Sequence, residues 1–348
     1  MHDLENRPMT GMSPRRSYLA GIAIAVVVAM LMAGCASSPE AGPTERASEV
    51  DAGTSAPSPQ PSSTVEGRFG QVGGWIAYSS GDGIWAVDPA RPERRVRLSR
   101  ADGDPIAWSS DGTKLLIRRK SPDQVRGGVR EMDLVVFDED GTETRLTNAQ
   151  TFVTGGSFSP DGSEVVYATT FSPKGSAIYA VSSDGGAPRV ILRATRRVFS
   201  PELGRSFRTD VYHPALSPDG TQIGYFDGMG DHSHTLWVMS ADGTERSLLL
   251  DHEGGRPGHV YALTWSPDGE WLAFQTDDRI YLVRPDGTRL RPVVEGDFYA
   301  APAVQWSPDG SSIAYLRGGA LSIVNVDGGN ERIIEQIPAR SIAWNPAM

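Results

Sequence analysis

Trp265-Ser266-Pro267-Asp268-Gly269-Glu270-Trp271-Leu272-Ala273-Phe274 decides the fold. Proline presets the first corner and Asp-Gly supplies the positive φ of a tight reversal, so the segment is an apolar strand, a hairpin turn and a second apolar strand. The same unit recurs. It stands at Phe158-Ser159-Pro160-Asp161-Gly162, at Leu216-Ser217-Pro218-Asp219-Gly220 and at Trp306-Ser307-Pro308-Asp309-Gly310, with Ala107-Trp108-Ser109-Ser110-Asp111-Gly112 as a close variant. A decayed sixth copy, Trp344-Asn345-Pro346-Ala347, ends the chain. Successive aspartates lie 50, 58, 49 and 41 residues apart, so one constant unit carries connections of variable length.

Each turn leads into a second strand (Ile76-Ala77-Tyr78, Val165-Val166-Tyr167, Leu272-Ala273-Phe274, Ile313-Ala314-Tyr315) and then a third (Ile84-Trp85-Ala86-Val87, Leu236-Trp237-Val238-Met239, Ile280-Tyr281-Leu282-Val283). A second Asp-Gly pair follows the third strand, as at Asp140-Gly141 and Asp286-Gly287, and a more polar fourth strand follows that. Four antiparallel strands per repeat and six repeats predict an all-β, six-bladed β-propeller over 67–348. The first repeat enters at its second strand (Trp75 to Ser79) and the chain ends on an orphan first strand (Ser341 to Trp344). Pairing these two would close the ring through the N-terminal blade.

Through its Trp-Ser-Pro-Asp-Gly turn and Ile-Ala-Tyr strand, the repeat resembles the TolB-type six-bladed propeller, a WD-repeat-like fold, over about residues 70–348. The resemblance implies the fold and leaves function open. That family carries an α/β domain ahead of its propeller, where this sequence is expected to have only a disordered tether. A prolyl-oligopeptidase-type propeller would need an α/β-hydrolase domain, for which no residues remain.

Ahead of the repeats, Arg15 and Arg16 precede an apolar run from Tyr18 to Met32, the length of a secretory signal. It ends in Leu31-Met32-Ala33-Gly34-Cys35, which resembles a bacterial lipobox, and Arg15-Arg16-Ser17-Tyr18-Leu19 resembles a twin-arginine export signal. Residues 1–34 are therefore expected to be a lipoprotein signal peptide, Cys35 the lipidated residue, and the protein extracytoplasmic and lipid-anchored to a bacterial cell membrane. An uncleaved anchor helix with an incidental cysteine is the alternative. Residues 35–66 are rich in Ser, Pro and Ala with few large apolar side chains, the composition of a disordered tether.

Among 348 residues there are 33 Lys plus Arg against 43 Asp plus Glu. The net charge of −10 argues against a duplex nucleic-acid partner. A single cysteine excludes an internal disulfide framework and any multi-cysteine metal centre.

In a propeller, the Ser-Pro-Asp-Gly turns and the second Asp-Gly turns share one face. The longer connections, at 119–131, 170–176, 193–212, 227–234 and 251–260, fall on the other, where a rigid scaffold carries its binding surface. His213, His232, His234 and His259 map there, interleaved with acids such as Asp231. Imidazole with carboxylate suits a divalent metal such as zinc or manganese, although the same groups also cap turns and bond loop backbone. The 227–234 segment lacks EF-hand spacing for calcium. Arg205 and Arg208 belong to an arginine-rich connection that also holds Arg193, Arg196 and Arg197, suited to a carboxylate-rich or anionic partner or, more plainly, to pairing with Glu202 and Asp210. The repeat tryptophans are expected to pack between blades.

With no recognisable nucleophile and base pair, the leading expectation is a non-catalytic binding or scaffold module. It would take a protein or cell-envelope ligand through Arg205, Arg208, His213, Asp231, His232, His234 and His259. The alternatives are a metal-assisted lyase or hydrolase acting on an anionic carbohydrate, with His213, His232, His234 and His259 as metal ligands, and a purely structural envelope protein.

Overall fold

The computed structural model describes residues 69–348 except 127–128, 148–151, 171–174, 201–204, 229–233, 252–259, 299–302, 338 and 348. The segments expected as signal peptide, lipidated Cys35 and tether lie outside the described residues. Among the described residues, no helix is long and apolar enough to cross a membrane.

After a 3₁₀ turn at Phe69–Gln71 come β1 (Ile76–Ser80), β2 (Gly83–Asp88) and β3 (Arg91–Ser99). The second blade is β4 (Asp104–Trp108), β5 (Lys114–Arg126), β6 (Val129–Asp138) and β7 (Glu143–Arg145); the third is β8 (Phe152–Phe158), β9 (Glu164–Thr170), β10 (Ala177–Ser182) and β11 (Arg189–Arg193). A two-stranded ribbon, β12 (Arg197–Ser200) and β13 (Arg205–Arg208), precedes the fourth blade, β14 (Asp210–Leu216), β15 (Gln222–Gly228), β16 (Thr235–Ser240) and β17 (Ser247–Leu250). Blade five is β18 (Val260–Trp265), β19 (Leu272–Thr276), β20 (Arg279–Val283) and β21 (Arg291–Glu295); blade six is β22 (Val304–Trp306), β23 (Ser312–Arg317), β24 (Ala320–Asn325) and β25 (Arg332–Gln336). The last strand, β26 (Ile342–Trp344), pairs with β1 in the register Ile76 to Trp344, Ala77 to Ala343 and Tyr78 to Ile342, so the first blade reads β26-β1-β2-β3.

The middle strands are apolar on both faces because each blade is covered by its neighbours. All six residues of β2 are buried, whereas β3 at the outer edge has no buried residue and runs from mostly exposed to half-buried. The core accordingly lies between blades. Ile76, Tyr78 and Val87 of blade one pack on Ala314, Leu316 and Ile323 of blade six, and Val166 and Ile178 of blade three pack on Ile223 and Tyr225 of blade four. Tryptophans add directed bonds across these seams. Trp108 Nε1 donates to the Ala343 carbonyl at 3.2 Å and Trp265 Nε1 to the Ala215 carbonyl at 2.9 Å.

Each Ser-Pro-Asp-Gly turn repeats one bonding pattern. In blade three, Ser159 Oγ donates to Asp161 Oδ1 at 2.6 Å and accepts the Glu164 N–H at 2.9 Å, while Asp161 Oδ1 accepts the Ser163 N–H at 3.1 Å. These donors hold the Asp161 carboxyl down to about 2, with Asp219 and Asp309 lowered for the same reason, the serine hydroxyl first. The turn glycine also faces the neighbouring blade. A Cβ on Gly112, at φ 71°, would lie 2.5 Å from Asn345 Oδ1, and one on Gly220 would lie 3.0 Å from Pro160 Cγ. The sixth copy fits the same ring with different atoms: the Asn345 N–H donates to the Trp75 carbonyl, and Asn345 Oδ1 accepts the Ala347 N–H.

Candidate functional site

The opposite face gathers the connections between the second and third strands of each blade, such as β5 to β6, and the blade-to-blade connections of irregular length. Two stretches that the sequence suggests are plain loops are paired chain. β5 and β6 continue past the ring as a hairpin, with Val125 opposite Arg130 and Arg126 opposite Val129, leaving Gly127-Gly128, a strong turn dipeptide, between the strands. The arginine-rich connection forms the β12–β13 ribbon, in which Arg197 stands opposite Arg208 and Ser200 opposite Arg205. Charged residues interrupt the apolar alternation in both ribbons, so pairing satisfies their backbone without the pattern that would announce a strand.

The inner strands of all six blades surround a central channel of 410 Å³. Four of them carry a β-bulge near the irregular face. Pairing jumps from Pro105 to Ala107 in β4, from Val153 to Gly155 in β8, from Tyr212 to Ala215 in β14 and from Val260 to Ala262 in β18. A bulge leaves a residue out of the ladder and re-aims it. The residues so released are Ile106, Thr154, His213 with Pro214, and Tyr261, and all of them line the channel. His213 takes φ 47° to do so, and its N–H donates to Thr154 Oγ1 at 3.2 Å. Gly155 makes the approach possible, since a Cβ there would lie 3.2 Å from His213 Cα and 3.3 Å from its Nδ1.

Charge at this mouth is layered. Arg118, opposite Asp104 on the β4–β5 ladder, reaches Asp104 Oδ2 through Nη2 at 3.5 Å. The other Asp104 oxygen accepts Arg340 Nε at 3.0 Å, and Arg340 Nη2 donates to Asp102 at 2.7 Å. Burial in the channel wall, then the Arg118 charge, then His234, push the His213 imidazole down to about 3, so it is neutral at physiological pH. Across the channel, the Tyr261 hydroxyl donates to Asp277 Oδ1 at 2.5 Å. At the start of β14 and the end of β15 in blade four, burial raises the carboxyls of Asp210 and Asp227; Arg196 lies 3.9 Å from Asp227 Oδ1 and donates to Thr235 Oγ1 at 2.9 Å.

The candidate residues separate accordingly. His213 lines the channel; His234 is buried, edge-to-face with Tyr212 at 5.1 Å, and not on an open loop surface. Arg208 is exposed on β13, and the backbone of Arg205 is placed on the same strand. Asp231, His232 and His259 lie outside the described residues. Among the described residues, no three His, Cys, Asp or Glu side chains come together as a metal site. Of the four histidines considered as metal ligands, only His213 and His234 are described, and the fixed cation Arg118 faces His213. Arg118, Thr154 and Tyr261 are not singled out by the sequence alone. Their one signal was a polar side chain within or beside an otherwise apolar inner strand.

No family model matches the chain. A TolB homologue from Chlorobium luteolum is 30% identical over 135 residues, covering 38% of this chain and 26% of the relative. The curated relatives are matched over less than half their own length. Among solved structures, TolB from Acinetobacter baumannii superposes with a TM-score of 0.58 at 17% identity, covering 80% of this chain and 67% of that one. A chain of a nidogen/laminin complex superposes with a TM-score of 0.62 at 13% identity, covering 79% and 99%. Six four-stranded blades, their repeated turns and these neighbours together make the fold that of a TolB-like six-bladed β-propeller.

Proposed function

We propose that the protein is a lipid-anchored, extracytoplasmic binding module without catalytic activity, whose propeller takes a protein or cell-envelope ligand on its irregular face. One observation carries the reading: both inserted ribbons and every bulged channel residue lie toward one face, while the opposite face is built from repeated short turns. The charged and polar mouth described above, with exposed Arg197 and Arg208 on the adjoining ribbon, supplies orientation for a ligand. The superposition on a chain from a nidogen/laminin complex supports protein recognition by such a ring. Anchoring is supported by Arg15-Arg16, the Tyr18 to Met32 run and the sole cysteine, Cys35.

Cross-linking in intact cells, followed by recovery of the protein, tests the reading. Wild type is compared with Arg205→Glu/Arg208→Glu and with His232→Ala/His234→Ala, after the melting of each has been checked. A specific partner recovered with wild type and lost from a folded variant is the expected result. Equal recovery from all three places the contact elsewhere and overturns the use of this face. In parallel, Cys35→Ser is expected to move the protein from the membrane fraction to the soluble one; retention in the membrane overturns the lipid anchor.

A further inference from the structure

We propose that the channel mouth between blades two, three and four is a carboxylate-binding site, with the Arg118 guanidinium as the charged fork and Thr154 and His213 as hydrogen-bonding partners. The inference rests on the binding-module reading and names the chemistry its ligand must present.

Arg118 is an under-matched cation. A guanidinium cannot shed its proton, so a largely buried one needs an anion with its lone pairs in reach. Its side chain is only 21% exposed, yet its sole ion-pair partner among the described residues, Asp104, is 3.5 Å away. Asp104 is itself divided, since Arg340 holds its other oxygen at the shorter distance of 3.0 Å. Arg118 Nε is buried with no hydrogen-bond partner among the described residues. Arg340 has Asp102 as a second carboxylate at 2.7 Å, so Arg118 is the guanidinium left with only a shared and longer contact.

The surroundings favour an anion and not a cation. Thr154 Oγ1 accepts the backbone N–H of His213, which leaves its hydroxyl proton available to a ligand. Neutral His213 offers a ring N–H without asking for a counter-charge of its own. The acid on the far wall, Asp277, accepts the Tyr261 hydroxyl. The absence of a side chain at Gly155 keeps the wall open beside His213. A 410 Å³ channel admits an extended acidic residue, a chain terminus or a small organic acid, not a folded domain. A planar acceptor fits the guanidinium fork two bonds at a time, and one cation matches one monoanion, so carboxylate is favoured over phosphate.

Titration calorimetry on the full chain tests the site with N-acetyl-Gly-Gly-Asp, the same tripeptide as its fully amidated counterpart, galacturonate, galactose and inorganic phosphate. The acidic tripeptide is expected to bind saturably and the amidated one about tenfold more weakly or worse. Galacturonate bound more tightly than the tripeptide would assign the carboxylate to a sugar acid, and the reverse order to a polypeptide; either supports the site. Arg118→Gln is expected to abolish binding. Because Arg118 also holds Asp104, Thr154→Val, which keeps the side-chain shape, serves as the second variant; it is expected to weaken binding several-fold while the protein still melts cooperatively, at a somewhat lower temperature because the His213 N–H loses its acceptor. Equal binding of the acidic and amidated tripeptides, preference for phosphate, or undiminished affinity in both variants overturns the proposal. If no carboxylate binds while the cellular partner is still captured through the irregular face, the carboxylate site falls and the binding module stands. If capture is also unaffected by the face variants, both fall.

Discussion

The two faces of the ring obey different rules. On the turn face, one short pattern recurs with nearly constant bond lengths: Ser109, Ser159 and Ser217 each donate to their aspartate at 2.6 Å, and each accepts the N–H five residues on at 2.9 Å. On the irregular face, no two bulged blades carry the same residue at the bulge: Thr154 and His213 bond each other, and Tyr261 bonds Asp277. Repetition marks where blades must fit one another, because these turns pack on their neighbours. Variety marks where no such mutual fit is required, which frees those positions for recognition.

The largest test of this division is the seam where the ring closes. Removing residues 340–348 deletes β26, the Arg340 bonds to Asp102 and Asp104, and the Ser341 bond to the Pro105 carbonyl at 2.5 Å. Loss of the cooperative thermal transition is expected, measured by circular dichroism. Trp344→Ala alone removes a side chain bonded to the Gly74 carbonyl at 2.8 Å and should destabilise by about 3–5 kcal/mol, a large share of the roughly 5–15 kcal/mol of a typical domain. A ring that still melts cooperatively without its last nine residues would show that the seam is not part of the repeated fit.

A sharper test uses two glycines of like conformation. Gly112 at φ 71° faces Asn345, whereas at Gly141, with φ 87°, an added Cβ would meet nothing within 4 Å. Alanine at Gly141 should cost only the left-handed backbone strain, about 1–2 kcal/mol. Alanine at Gly112 adds the clash across the blade boundary, for a total of about 3–4 kcal/mol. Urea unfolding of the two variants gives the comparison, and equal losses would remove the blade contact from the role of the motif.

The same contrast explains what the sequence could reveal. The turns are legible because Pro, Asp and Gly have local conformational meanings that survive any packing. The ring follows from counting them, and the orphan strand Ser341 to Trp344 shows where it closes. The channel site is not local. Arg118 and His213 lie in different blades and face one channel, toward which a bulge turns His213, and a bulge has no residue signature in β4, β8, β14 and β18. His234 illustrates the opposite case: a histidine in a polar run that tertiary packing buries against Tyr212. The β12–β13 ribbon was hidden by its arginines, which mask the period-two pattern on which strand recognition depends.

Acid should act on the irregular face through His213. Its folded value of about 3 lies below its ordinary 6.5, so the unfolded chain takes up the proton first. The stability conferred by a neutral His213 is complete above about pH 6.5 and is lost progressively as pH falls toward 3, by at most about 1.4 kcal/mol per pH unit. Asparagine tolerates the positive φ at this position and carries no titrating group. Comparing urea midpoints at pH 7 and pH 5, wild type should therefore lose up to about 2 kcal/mol more than His213→Asn. The raised carboxyls of Asp210 and Asp227 act with the opposite sign, but they are present in both proteins and drop out of the difference.

The smallest expected effect on stability falls on the ribbon, and it is the most discriminating. Arg197 and Arg208 are exposed and stand directly opposite each other on β12 and β13, a like-charge pairing that works against the ribbon by a few tenths of a kcal/mol. Arg197 Nη2 donates to the Ser206 carbonyl at 3.2 Å across the ribbon, and under the proposed function both guanidiniums also serve an anionic partner. Arg208→Glu replaces repulsion with an opposite-charge pair, so the melting temperature should stay level or rise slightly, with the free-energy change inside about 0.5 kcal/mol. Capture of an anionic partner should fall in the same variant, because the charge that served it has been reversed. Stability and recognition would then move in opposite directions from one substitution, as expected where a face is released from the repeated fit. A loss of more than about 1 kcal/mol from Arg208→Glu would instead make the ribbon part of the scaffold and erase the distinction between the two faces.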